Sequence, residues 1–95
     1  MQEKIKEIKD LKKNEIKALN AMVQPKTIPE IAAILGYAYA TTAQKLMIWS
    51  AREWIIKIPA VSQFHRIHYK LNQNHGELNA YLLSKEEKML EIENA

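Results

Sequence analysis

A length of 95 residues bounds the chain to a single domain, with room for one modest hydrophobic core and not for two. Hydrophobic residues make up 47% and charged residues 26%, a globular balance, and the absence of cysteine excludes disulfides, thiolate zinc sites and cysteine nucleophiles. The net charge of +3 is unevenly spread: residues 1–36 carry +2, residues 37–71 carry +4 and residues 72–95 carry −3, so an anionic partner is best received by the middle third. The N-terminal stretch MQEKIKEIKDLKK alternates charge with single aliphatics and lacks the apolar centre of a secretory leader. The longest mostly apolar run, IAAILGYAYA, is far shorter than the roughly 20 residues of a spanning helix, so a cytoplasmic protein with no membrane segment is expected.

In chain order, Ile5, Ile8 and Leu11, then Ile16, Leu19 and Met22 or Val23, recur at helical spacing, with a slip of phase across residues 12–14. This predicts a helix to about residue 23, restarted near Lys12, and ended by Gln24-Pro25-Lys26 because proline disfavours helix in the residue before it. Thr27-Ile28-Pro29-Glu30 fits a capping box with proline in the first turn. A short second helix over 28–35 should follow and stop at Gly36, a residue suited to a left-handed helix end. A third helix over about 38–52 is expected to bury Thr42, Leu46 and Trp49, with Glu53 continuing the spacing, and to present Tyr39, Thr41, Gln44, Lys45 and Ile48 on other faces. WIIKI (54–58), bounded by Pro59, reads as a strand. So does 64–71, where Ile67, Tyr69 and Leu71 alternate with Arg66, His68 and Lys70; the two should pair as a hairpin about 59–63. From about Glu77, the positions Leu78, Tyr81, Leu82, Met89 and Ile92 predict a final acidic helix to about residue 93.

This order of elements, carried by KTIPEIAAILGYAYATTAQKLMIWSAREWIIKI and then HRIHYKL, resembles a winged helix-turn-helix domain over about residues 11–71. The implied fold is mainly α with a small β-hairpin, a winged helix-turn-helix with extra N- and C-terminal helical segments. The resemblance implies sequence-specific binding of double-stranded DNA by a small transcriptional regulator, with the third helix in the major groove and the hairpin as wing. Under it, Gln44 would pair with an adenine edge, Ala40 and Thr41 would meet a thymine methyl, and Tyr39 and Lys45 would reach bases or phosphates, with Ala38 at the groove-facing start of the helix. Thr27, at the start of the second helix, and the wing residues Arg66, His68 and Lys70 would hold the backbone. The recognition face has no arginine, which favours A/T-rich sites.

Other uses of these residues are plainer. Trp49 and Trp54 fall on inward positions and read as core, and Tyr39 could cover a core edge as easily as it contacts DNA. On a strand, His65 and His68 point to opposite faces, so no metal site or cofactor is expected. Asp10 and most glutamates sit among lysines with the look of exposed ion pairs, and no nucleophile stands beside a base, so an enzyme and a small-molecule substrate are not expected. The aliphatics of the terminal helices (1–11 and 77–93) suggest packing between subunits of a homodimer, or packing on each other within one chain. The alternatives from other classes are a nonspecific DNA-coating protein and a winged-helix adaptor presenting Tyr37, Tyr39 and Ile48 to another protein.

Overall fold

Lys12 stands at the start of a helix, where the sequence shows its slip of phase. Its backbone is extended (φ −77°, ψ 162°) and its N–H donates to Glu15 Oε1 at 2.8 Å, the glutamate half of a capping box before α1 (Lys13–Ala21), since a lysine ammonium cannot accept in return. The computed structural model describes residue 8, residues 10–60 and residues 66–94, the last nine of these by their backbone alone. Among them it contains four helices and one hairpin: α1, α2 (Ile28–Leu35), α3 (Tyr39–Ala51), β1 (Ile55–Ile58), β2 (His68–Leu71) and α4 (Gly76–Asn94). The mainly helical winged helix-turn-helix expected from the sequence is the fold observed, with the second helix at its expected bounds and the third within one residue of them.

α2 begins as the motif predicts. Glu30 Oε1 accepts from the Thr27 N–H at 2.9 Å and from the Thr27 hydroxyl at 3.0 Å. It ends at Gly36, whose φ of 77° is the left-handed region that a side chain disfavours, and whose N–H donates to the Ala32 carbonyl at 2.8 Å. The chain needs only Gly36, Tyr37 and Ala38 to turn from α2 into α3. Asn14 holds this corner from below, its side-chain N–H donating to the Leu35 carbonyl at 2.9 Å.

The core gathers one face of every element: Ile16, Leu19 and Met22 from α1, Ile31 and Leu35 from α2, Leu46 and Trp49 from α3, and Leu78 and Leu82 from α4. Trp54, Ile55, Tyr69 and Leu71 close it from the hairpin. Each such side chain contributes about 1.5–3 kcal/mol on transfer from water. Ile8, Leu78 and Leu82 are buried here at 5%, 0% and 3% exposure, so these three are packed within one chain and are not surplus surface for a second subunit. Ile5 lies outside the described residues, as do the side chains of Met89 and Ile92.

β1 and β2 pair antiparallel in the register Ile55 with Leu71 through Ile58 with His68. The second strand starts four residues later than expected: Ile67, predicted inward, precedes β2 and is 38% exposed, while Phe64 and His65 lie outside the described residues. Lys26, read as part of a helix stop, also pairs with Tyr69 through reciprocal N–H to carbonyl bonds of 2.9 and 2.8 Å. The wing is thereby stitched to the segment before α2. Glu53, placed by spacing on the inward face of the third helix, is exposed and turns the chain out of α3 with φ 62°. Asn72 holds that turn, donating to the Glu53 carbonyl at 2.8 Å.

Candidate nucleic-acid interface

α3 fixes its own orientation through its buried residues. Thr42, Leu46 and Trp49 anchor it to the core, and the Thr42 hydroxyl is satisfied by the Ala38 carbonyl at 3.0 Å. With that face inward, Ala38, Tyr39, Ala40, Thr41 and Gln44 are all exposed, and Tyr39 is 59% exposed. Ala38 at the N-cap has no side-chain oxygen, and the first turn holds no acidic residue. The opening N–H groups of α3 therefore have no side-chain acceptor of their own, and the helix dipole makes that end attractive to anions.

The start of α2 differs. Thr27 is 9% exposed and gives both N–H and hydroxyl to Glu30. Those bonds, the backbone one foremost, hold the Glu30 carboxyl below the usual carboxylate range, so a phosphate approaching Thr27 would meet a negative charge. That is a poorer place for a backbone contact than the sequence suggests.

Lys45 also sits otherwise than its spacing implies. Its ammonium forms an ion pair with Glu15 Oε2, the Lys45 side chain being 31% exposed and that of Glu15 only 4%. Burial alone would raise the Glu15 pKa; the hydrogen bond from Lys45, then that of the Lys12 N–H, and the charges of both lysines outweigh it and lower the pKa. Glu15 thus uses one oxygen to start α1 and the other to hold α3, and it is not one of the exposed acids that its lysine neighbours suggest. The signal was in the spacing, since Glu15, Leu19 and Met22 share one helical face. Behind the pair a cleft of about 240 Å³ is lined by Asp10, Leu11, Trp49, Arg52 and Trp54.

The wing residues separate by strand alternation. His68 and Lys70 share the outer face of β2 while Tyr69 and Leu71 are buried. His68 Nδ1 donates to the Arg66 carbonyl at 2.8 Å, since a carbonyl oxygen can only accept. Arg66 is exposed just before the strand. Burial, and then the charge of the Tyr39 phenolate, raise the Tyr69 pKa. The third histidine serves the fold, with His75 Nδ1 accepting from the Leu78 N–H at 3.2 Å at the start of α4. Among the described residues, no group of three acidic or histidine side chains is arranged to hold a metal ion, and no helix is long and apolar enough to cross a membrane.

No family model matches the chain, and no curated protein does. Among solved structures it is similar to Lactococcus lactis ZitR, a single-substitution mutant in complex with DNA, at a TM-score of 0.70 and 19% identity over 90% of this chain and 59% of that one. It is similar to a MarR-like transcriptional regulator from Thermotoga maritima, at 0.64 and 23% identity over 90% of this chain and 62% of that one. Rv1404 from Mycobacterium tuberculosis matches at 0.65 and 13% identity over 92% and 62%. The fold is shared with these winged-helix proteins, and the chain spans about three-fifths of their length.

Proposed function

We propose that the chain binds double-stranded DNA in a sequence-selective way as a small transcriptional regulator, with α3 in the major groove and the hairpin as wing. One observation carries the reading: the core holds α3 so that Ala38, Tyr39, Ala40, Thr41 and Gln44 are all exposed at a helix end that has no side-chain cap and no acid. The basic middle third of the sequence, the half-exposed His68 and Lys70 on the face of β2 away from Tyr69 and Leu71, and a structural neighbour solved on DNA support it. Gln44 is the adenine reader, Ala40 and Thr41 meet thymine, and Arg66, His68 and Lys70 hold phosphates. Lys45 acts chiefly by holding α3 to Glu15, and Thr27 chiefly as a cap. A protein working on DNA in this way belongs in the cytoplasm of its cell and has no enzymatic step to perform.

Two copies on symmetric half-sites about one helical turn apart is the proposed working form, as dimeric helix-turn-helix proteins bind. The adaptor reading is weakened by Tyr37, which is partly buried against the core and lies under the Lys45 ammonium at 5.9 Å.

The test is selection from a random duplex pool, followed by fluorescence anisotropy of the best duplex and a scrambled one across a salt series. Selective binding that weakens steeply with salt is expected, because each neutralised phosphate releases counterions. Equal binding to both duplexes would leave a nonspecific coat, and salt-insensitive or absent binding would overturn DNA as the partner.

A further inference from the structure

Ala40, Gln44, Met47 and Ala51 follow the i, i+4, i+7, i+11 spacing that lines side chains along one face of a helix. All four are exposed, on the side of α3 opposite Thr42, Leu46 and Trp49. Gln44 is the only hydrogen-bonding side chain among them, and none is charged. Met47 is 72% exposed, more than Tyr39, Leu83, Ile56, Ile48, Val23 or Ile67.

A lone exposed methionine needs no explanation. This one shares the exposed face of Gln44, three residues or about 4.5 Å further along α3, so a helix laid in the major groove brings both to neighbouring base pairs. A side chain there reaches the base pair next to the one that Gln44 reads, or the one after. Its thioether has no donor, is unbranched and polarisable, and adapts its shape to an apolar neighbour. In the major groove the apolar group that a base presents is the thymine 5-methyl.

We infer that Met47 is a specificity-determining residue that packs on the 5-methyl group of a thymine one or two base pairs from the adenine paired by Gln44. The inference rests on the DNA-binding reading and gives it a more definite ligand: an A/T step read by one amide and one thioether. Met47 lies outside the core, so its substitution leaves the fold intact.

The experiment replaces each thymine of the selected duplex in turn by deoxyuridine, which removes only the methyl, and compares the whole chain with Met47→Ala and Met47→Leu. At one thymine, deoxyuridine should weaken the native chain roughly fourfold, as expected for losing one buried methyl. Met47→Ala should weaken thymine binding by a similar factor and be indifferent to deoxyuridine at that position, and Met47→Leu should keep most of the sensitivity. Selective binding whose deoxyuridine profile is the same in the native chain and Met47→Ala overturns the role of Met47 and leaves the DNA-binding reading standing. A selected site with no thymine within two base pairs of the adenine read by Gln44 overturns it likewise. Absence of binding to any duplex overturns both.

Discussion

Replacing Lys45 by methionine tests whether the Glu15 pair is what holds α3 in place. The change keeps a long apolar stem but removes the ammonium, leaving Glu15, with 4% of its side chain exposed, only the Lys12 N–H at 2.8 Å. Breaking a fully buried pair costs about 3–5 kcal/mol, but Lys45 is 31% exposed and water can partly replace it, so about 2 kcal/mol is expected. For a domain of this size that corresponds to a fall in Tm of about 8–16 °C. The Glu15 pKa is lowered below the ordinary 4.5, so the stabilisation from its partners is full above that value and is lost as pH falls through the folded-state pKa. The difference between native and Lys45→Met should therefore be largest near neutral pH and shrink in acid. Urea denaturation at neutral pH and again well below pH 4.5 measures it, with Glu15→Gln combined with Lys45→Met as the closing corner of a double-mutant cycle. A loss equal at both pH values, or no loss at either, would refute the reasoning.

Gln44→Ala should relax base preference by roughly 1–3 kcal/mol at one position, whereas Lys70→Ala should weaken all duplexes alike and lower the salt slope by about one; the same effect from both, measured by anisotropy, would remove the assigned roles. Gly36→Ala should destabilise by about 1–2 kcal/mol through its φ of 77° alone, since nothing lies within 4 Å of the added Cβ, while Gly76→Ala, equally open and without a positive φ, should be neutral in thermal melts. Trp49→Ala should cost about 3–5 kcal/mol and broaden or abolish the cooperative melt followed by near-UV circular dichroism, because a side chain 3% exposed leaves a cavity between α3 and the hairpin.

Much of this protein was legible in the chain because it is written in local physics. The Thr27 to Glu30 box and Gly36 bracket α2, and the spacing of Thr42, Leu46 and Trp49 fixes which way α3 faces; each depends on residues a few positions apart. The exposure of Ala38, Tyr39, Ala40, Thr41 and Gln44 around the start of α3 goes with that facing. Tertiary structure decided what depends on residues far apart in sequence. Lys45 reads as a free cation until α1 brings Glu15 beneath it, and Lys26 reads as a loop residue until β2 offers Tyr69 as a pairing partner. Ile8, Leu78 and Leu82 read as interface until they are seen to share one core. Periodicity tells a side chain which face it is on, but only the packed fold supplies what stands opposite, and charge pairs and strand edges are defined by that opposite partner.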